Sequence, residues 1–433
     1  MLTAPFLTKL DPRGAVKGSR DPLGVQPIWT RFGRHVVGNL TTVTTSVRDF
    51  TTLLLGYHFA ELVAADAPGS ELATFLKWEQ LAAYARANVN KDFVFRGIER
   101  VQKALSDGSR VSISEDQASQ ILANQKIYGL WGLYTVAARS SGLLEGDPTR
   151  LTNAGRELVE GFYLPLLDEQ GGARITKRVT EILRQRSTRI DVAGTDRRML
   201  EAVARVLKRR LLAKERDVFR AHLLFGGPDD RTGGLQQLLA SLLVDTTKDR
   251  GFAWSSNALA ALERRSLASG DDDHSLAFRL GRIRACEAVI APSTALFIHL
   301  LGMDGKAITD AADRLRNEWG ARVAMLPISE IRELERELGG SDPVAGKRWV
   351  AIANAAAAGE YGNLVELLVE QNRVVMGARG SAAWVEVRDG RFHVRFHEER
   401  GNLPRGNDLA DMWRHSYFLD ALRAVAGQIE GTT

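Results

Sequence analysis

The chain has 433 residues, of which 44% are hydrophobic and 26% charged, a composition that fits two or three globular domains and excludes a disordered chain. The single cysteine, Cys286, excludes an internal disulfide framework and any site built from several cysteines, and it fits a reducing, cytoplasmic compartment. The net charge of +5 at neutral pH is mildly basic and by itself points to no class of partner.

The N-terminal region predicts an irregular arm followed by helices. Residues 1–20 contain prolines and glycines without apolar periodicity, and they lack the basic start and apolar run of a signal peptide. No stretch of the chain reaches about eighteen uninterrupted apolar residues, so we expect no membrane partner. Helices are expected from a cap at Thr45 or Ser46 through Leu62, over 71–87 and over 93–105.

Residues 98–162 are predicted to contain a winged-helix unit. Two serines at 112 and 114 stand three residues before Glu115 and Gln117, as in a capping box. Apolar residues then recur at helical spacing, and a turn sequence separates two short strands. The predicted order is a helix over 116–125, a recognition helix over 128–141, a hairpin with strands 143–145 and 150–152, and a helix over 153–162.

The segments GLLE at 142–145 and RLTNAGRELV at 150–159 resemble the wing of many prokaryotic winged-helix domains. Such domains bind DNA with the second helix in the major groove and the wing on the backbone. The resemblance implies that Lys126, Arg139 and Arg150 face the duplex, while Trp131 and Leu133 form the buried side. Winged helices also serve as protein-interaction modules, and that alternative stays open.

The most basic segment follows directly. Between Arg174 and Arg220 there are fifteen basic and six acidic residues, an excess of nine positive charges that is larger than that of the whole chain. A helix capped by Thr195 or Asp196 is predicted to reach Phe225, with an apolar stripe on one side and basic residues on the other. Such a face attracts polyanions, although a solvated helix face is the alternative. The predicted DNA-binding residues here are Arg174, Lys177, Arg178, Arg197, Arg198, Arg205, Lys208 and Arg209.

The rest of the chain predicts a helical array that one β-hairpin interrupts. Residues 384–396 alternate apolar and polar residues around an Asp-Gly turn, which is typical of a hairpin. The Ala-rich helices before it allow close packing, and the last helix carries one apolar face. Helices are predicted over 236–243, 256–266, 276–301, 308–319, 330–338, 345–358, 364–371 and 408–428.

No catalytic, cofactor or metal site is predicted. The loop at 226–234 lacks the Lys-Ser/Thr pair of a phosphate-binding loop, no Gly-x-Ser-x-Gly occurs, and Cys286 lies inside a predicted helix. The hairpin offers Glu386 and Asp389 without the lysine of common nuclease sites. Two groups resemble metal ligands but lack a complete set, namely Asp271–His274 and His393 with His397 and Glu398.

The two ends of the chain resemble bacterial proteins of phage-defence gene clusters. The likeness covers 21–59 and 402–422 and includes the motifs GNLTTVTTSVRDFTTLLLG and LADMWRHSYFLDALRAV. It implies no activity, so no functional residue follows from it.

The sequence therefore predicts a mainly α, multi-domain helical protein with a winged-helix-like unit and a C-terminal β-hairpin. The expected function is a non-catalytic, DNA-binding subunit of a bacterial multi-protein system, with other protein subunits as partners. A helical protein-interaction scaffold is the first alternative, and an enzyme whose site is assembled in space is the second. The predicted divisions are 1–20, 21–170, 173–285 and 286–433.

Overall fold

The computed structural model describes residues 21–169, 174–269, 275–340, 342–396 and 401–432. The predicted arm over 1–20 lies outside these residues. Contacts divide the chain into two compact units. Within the described residues, a smaller unit contains 21–33 and 253–416, and a larger unit contains 34–252 and 417–432. This division differs from the predicted one, because each unit is built from segments that are far apart in the sequence.

Helices dominate both units, and the chain order begins with α1 (Val25–Gly33) in the smaller unit. The helices of the larger unit then follow as α2 (Val47–Ala64), α3 (Glu71–Asn88), α4 (Ile98–Ser106), α5 (Gln125–Tyr128), α6 (Leu130–Ser140), α7 (Asn153–Leu158), α8 (Leu164–Asp168), α9 (Arg174–Arg184), α10 (Arg197–Val206), α11 (Ala213–Phe219) and α12 (Leu235–Thr247). Single π turns, Val159–Tyr163 and Arg220–Leu224, follow α7 and α11.

Two short antiparallel strand pairs accompany these helices. They are β1 (Arg110–Ser114) with β4 (Ser187–Asp191), and β2 (Leu144–Glu145) with β3 (Arg150–Leu151).

The core of the larger unit is centred on α2 and α3. Both helices are buried on nearly every side, as expected of helices that are not amphipathic. They approach closely at Gly56, where a Cβ atom would lie 2.6 Å from the ring of Phe75. Aromatic rings fill the space around this contact, and Trp131 of α6 stacks on Tyr57 with the ring centroids 5.0 Å apart. The helix α6 is thereby fixed against α2.

The structure confirms part of the predicted helix-and-wing order. The helix α6, the hairpin β2–β3 and α7 all form where the sequence predicts them. The helix predicted over 116–125 is wrong, because only Gln117–Ser119 makes a 3-10 turn. Ser114 is the last residue of β1 and does not cap a helix. The reason is that the Gln80 side chain accepts a hydrogen bond from the backbone N–H of Ser114 and donates one to its backbone carbonyl group. The strand pair β1–β4 was not predicted.

The long basic helix predicted from 196 to 225 is also wrong in its middle. The helix α10 ends at Val206 and α11 begins at Ala213, and residues 207–212 form a connection without helix. The cause is a long-range contact that the sequence pattern does not contain. Arg48 of α2 donates hydrogen bonds to two backbone carbonyl groups of this connection.

The smaller unit contains a helical array and one hairpin. Its remaining elements are α13 (Ser256–Ala268), α14 (Ser275–Leu300), α15 (Ile308–Trp319), α16 (Ile328–Glu333), α17 (Glu335–Gly339), α18 (Pro343–Ala358), α19 (Tyr361–Ala378), β5 (Val385–Arg388) and β6 (Arg391–Val394). The predicted hairpin is confirmed, and its turn has positive φ at Asp389 (49°) and Gly390 (71°), as a type I′ turn requires. The chain then returns to the larger unit as α20 (Tyr417–Glu430).

A buried carboxylate explains why the helix predicted over 408–428 begins only at Tyr417. Glu287 of α14 is fully buried, and it accepts hydrogen bonds from the backbone N–H groups of Arg414 and His415 at 2.9 and 2.7 Å. Its other oxygen accepts from the indole of Trp29 in α1 at 3.2 Å. These bonds hold 414–415 outside any helix, so the prediction of a continuous helix is wrong.

The helix α14 is the one described helix whose length and hydropathy would suit a membrane span. Of its most apolar 18-residue stretch, 83% is buried inside the protein, as in the core helix of a soluble domain. Cys286 lies in this helix, and burial raises the pKa of its thiol well above the usual value. The expectation of a buried cysteine inside a helix is confirmed.

Candidate nucleic-acid interface

A buried ion pair fixes the connection between α10 and α11. Arg48, which is 3% exposed, donates to both carboxylate oxygens of Glu215 at 2.6 and 2.7 Å. Burial raises the pKa of Tyr163 well above its usual value, and its hydroxyl donates to the same carboxylate at 2.8 Å. The guanidinium of Arg48 also donates to the carbonyl groups of Lys208 and Arg210. Hydrogen bonds from a buried arginine therefore fix the backbone of this basic connection.

The basic side chains of the connection are open to solvent. Lys208, Arg209 and Arg210 are all exposed. Within the described part of the chain, none of the three side chains makes an ion pair or a hydrogen bond. A rigid backbone thus presents three adjacent cations to solvent, and we call these residues the basic loop.

A second loop lies beside the basic loop. It follows α3 and covers residues 89–96, and the Asn90 side chain donates to the carbonyl of Ala204, near the end of α10, at 2.8 Å. Its Asp92 carboxylate accepts from Arg86 at 2.8 Å, and Arg86 also donates to Asp49 at 2.7 Å. Burial alone would lower the pKa of Arg86, but the two carboxylates raise it above the usual value. We call residues 89–96 the aromatic loop.

The two loops and the start of α2 enclose a cleft of about 360 Å³. Arg209 of the basic loop and Arg96 of the aromatic loop line it, and both are exposed. The two buried arginines that also line it, Arg48 and Arg86, pair with three carboxylates, those of Asp49, Asp92 and Glu215, so this buried group of two cations and three anions has a formal charge of −1. The positive field of the cleft therefore comes from the exposed loops, where an incoming anion meets it first.

Two of the other predicted DNA-binding residues in the basic segment form ion pairs. Arg178 pairs with Asp196 at 3.2 Å and Arg197 with Glu201 at 2.9 Å. Arg205 is half-buried and Arg198 is exposed, and both make contacts of their own. Lys177 is exposed, and the side chain of Arg174 lies outside the description. Two of the eight residues predicted in this segment, Lys208 and Arg209, belong to the basic loop, and Lys177 stays exposed on α9.

Acidic residues from outside the segment also form ion pairs with its arginines. Arg184 pairs with Asp66, and Arg186 lies 3.2 Å from Glu115. These acids therefore offset part of the excess of nine positive charges that was counted along the segment.

Tyr134 of the predicted recognition helix lines the basic cleft, but Lys126, Arg139 and Arg150 do not. Lys126, Arg139 and Arg150 are exposed, as expected. Arg139 donates to the carbonyl of Gly146 in the wing turn, and Arg150 lines a separate cavity of about 540 Å³ beside Tyr57 in the second half of α2.

The basic cleft, in contrast, borders the first turn of α2. Asp49 lines the cleft and Glu61 lines the cavity of Arg150. These residues are separated by roughly 18 Å of helix at about 1.5 Å per residue. The structure does not bring the wing arginine and the basic loop together.

The exposed surface of α5 and α6 carries three apolar side chains besides Lys126 and Arg139. Ile127, Tyr128 and Val136 are 52%, 59% and 58% exposed, respectively. Trp131 and Leu133, which the sequence assigned to the buried side, are half-buried, and Tyr134 supplies the fully buried aromatic ring of α6. A helix that reads bases would present polar side chains at these outward positions.

A buried glutamate holds the start of α6. Glu79 of α3 is 4% exposed, and its carboxylate accepts from the N–H of Leu130 and from the Gln125 side chain, both at 2.8 Å. Desolvation outweighs these bonds and raises the pKa of Glu79 to about 7. Between pH 4.5 and about 7, the folded state keeps a proton that the unfolded state has released. Stability therefore falls as pH rises through this window, by about 3 kcal/mol in total.

We expect the substitution Glu79→Gln to flatten this dependence, because the amide does not ionise. The midpoint of urea unfolding, measured at pH 5 and pH 8, checks the prediction. The wild type should lose stability between the two values and the variant should lose much less. Equal losses in both proteins would show that other groups cause the dependence.

Two residues that line the cleft were not identified from the sequence as candidate site residues. Arg96 and Phe93 lie in the short run Lys91–Arg96, which was predicted as the start of a helix over 93–105. That helix begins only at Ile98, after Gly97 adopts a positive φ of 85°. The available signal was a pair of aromatic residues, Phe93 and Phe95, between Lys91 and Arg96. Arg210 was counted among the basic residues but was not assigned to the site.

The described residues contain no group of three or more His, Cys, Asp or Glu side chains placed to hold a metal ion. The candidate ligands Asp271–His274, His397 and Glu398 lie outside the described residues. His393 is described, on β6.

Comparisons of the chain with protein-family models, with curated proteins and with solved structures find no match.

Proposed function

We propose that this protein is a non-catalytic DNA-binding component and that the larger unit carries the binding site. The observation that carries the proposal is the basic loop. Its three side chains are exposed and unpaired within the described chain, and buried Arg48 fixes their backbone. Arg209 lines the cleft together with Arg96. Neutralising phosphates with such cations releases counterions and gives affinity that is independent of base sequence.

The proposed biological setting is a bacterial multi-protein system, of the kind that the two ends of the chain resemble. The three basic side chains of the basic loop form no ion pair within the described residues, which supports a polyanionic partner. The helix α6 and the hairpin β2–β3 support contact with other macromolecules, as in a winged helix. A winged-helix interface that includes Lys126, Arg139 and Arg150 is the finer form of the proposal. In that form the duplex would reach from the basic cleft to the wing.

A second candidate function rests on the exposed apolar side chains of α5 and α6. Ile127, Tyr128 and Val136 would suit a protein partner better than a DNA groove, because partner surfaces bury apolar and aromatic side chains. In this case the larger unit would act as a scaffold whose helix-and-wing segment binds another subunit.

A mobility-shift assay with the purified full chain separates the two candidates. Labelled duplex and single-stranded DNA are incubated with the protein at about 50 mM and 200 mM salt, since binding dominated by phosphate contacts weakens steeply over this range. The DNA-binding proposal expects retention at the lower concentration and loss at the higher one. If neither probe is retained at about 50 mM salt, the proposal fails and the scaffold function takes its place.

A further inference from the structure

We infer that the basic cleft binds an unpaired strand of nucleic acid and that Phe93 stacks on one of its bases. This inference rests on the proposed function and specifies the kind of nucleic acid. It begins with the exposure of the aromatic loop, in which Phe93 is 47% and Val94 66% exposed. Exposed apolar side chains next to one another on a loop mark an interaction site more often than isolated ones do.

The backbone that carries Phe93 is fixed on both sides. The carboxylate of Asp92 accepts from the N–H of Val94 at 3.1 Å, and Arg86 donates to the carbonyl of Val94 at 3.2 Å. Buried ion pairs hold Arg86 and Asp92 in turn. The phenyl ring is therefore presented by an ordered loop, which lowers the entropic cost of binding a partner.

Phe93 differs from its neighbour Phe95 in the contacts of its ring. The ring of Phe95 lies under the guanidinium of Arg86 at 4.9 Å and is half-buried, so its face is already used. Phe93 lines the cleft, and no aromatic or cationic group of the described chain stacks on its ring. An unpaired base can use a free phenyl face, whereas the bases of a duplex are stacked on one another.

The shape and charge of the site agree with a single strand. A protein reads a duplex by inserting a protruding helix or ribbon into a groove, but this site is concave. Its volume of about 360 Å³ is that of a small-molecule pocket. Arg96 and Arg209 come from the two bordering loops and can follow the phosphates of a strand whose base reaches Phe93. Cations along the backbone and a stacking ring are the two parts of a single-strand site.

The test uses fluorescence anisotropy with the purified full chain. The probes are labelled dT20, rU20 and a 20-base-pair duplex at one low salt concentration, so that DNA and RNA strands are distinguished. We expect Phe93→Ala to weaken binding of at least one single strand by about tenfold and to leave duplex binding nearly unchanged. Phe93→Trp should restore the affinity because it keeps a stacking face, and Phe93→Leu should not.

Tyr128→Ala is the matched control. It removes another exposed aromatic ring from the larger unit, on the outward face of α5, and should leave all three affinities unchanged. The inference is overturned if the wild type binds a probe but Phe93→Ala binds like the wild type, if Phe93→Leu restores affinity as well as Phe93→Trp does, or if Tyr128→Ala causes the larger loss. If the wild type binds none of the probes, the proposed function itself fails, and that result is distinct from the others.

Discussion

Reversing the charge of the basic loop, with Lys208, Arg209 and Arg210 all changed to glutamate, is expected to weaken nucleic-acid binding by roughly 100-fold or more at low salt. The loss should be similar for all base sequences, because these residues would contact phosphates. The plot of log affinity against log salt should also flatten by about two to three units of slope, since each lost phosphate contact removes about 0.7 to 0.9. Anisotropy titrations at several salt concentrations measure both effects.

The matched control reverses three charges on the helix-and-wing segment of the same unit. Lys126, Arg139 and Arg150 are exposed like the basic loop, so changing them to glutamate produces the same change in net charge. We expect a clearly smaller loss of affinity, because only long-range electrostatics would change. An equal or larger loss in the control would place the nucleic acid on the predicted recognition helix and wing. Both variants should stay folded, since exposed charges typically contribute about 0.5 kcal/mol or less each.

Replacing Glu215 with alanine is expected to lower the free energy of unfolding by about 3–5 kcal/mol. The substitution leaves Arg48 buried without its carboxylate partner, and it removes the acceptor for Tyr163. A buried charge without a partner is costly, whereas an exposed pair contributes little. Urea unfolding followed by tryptophan fluorescence measures the difference.

Glu201→Ala is the control for this substitution, because its pair with Arg197 is largely exposed and should contribute less than about 1 kcal/mol. A loss below about 1 kcal/mol for Glu215→Ala would contradict the structural role assigned to the buried pair. The same variant should weaken nucleic-acid binding, because the backbone carbonyl groups of Lys208 and Arg210 lose their fixed donor. The loss should be smaller than that of the charge reversal, which removes the cations themselves.

Local signals in the sequence predicted the elements that local contacts stabilise. The hairpin β5–β6 follows from an Asp-Gly turn between alternating strands, and its residues adopt the expected positive φ values. A helix cap was predicted at Thr45 or Ser46, and the side chain of Ser46 accepts from the N–H of Asp49 in the first turn of α2. The paired strands β2 and β3 are likewise separated by only a few residues of the chain.

The wrong predictions share a different cause. The helix over 116–125 competes with the bonds of Gln80 to Ser114, and the start of the last helix competes with the bonds of Glu287 to 414–415. In each case a buried polar side chain from a distant helix satisfies backbone groups that a helix would otherwise use. Periodicity within a segment contains no information about such a partner.

The candidate site shows the same limit. The count of charges along 174–220 directed attention to Lys208 and Arg209, but it treated them as part of one helical stripe. Another member of that stripe, Arg197, forms an ion pair with Glu201. The aromatic loop joins the basic loop only through the fold, by the bond from Asn90 to Ala204.

Photocrosslinking is the measurement that locates a bound strand most directly. A 4-thiothymidine-containing single strand is crosslinked to the purified full chain, and the modified peptides are identified by mass spectrometry. Binding at the basic cleft predicts that the crosslinks concentrate in the peptides that contain 91–96 and 208–210. Crosslinks confined to α5, α6 and the wing, crosslinks confined to the smaller unit, or the absence of any crosslink would contradict it.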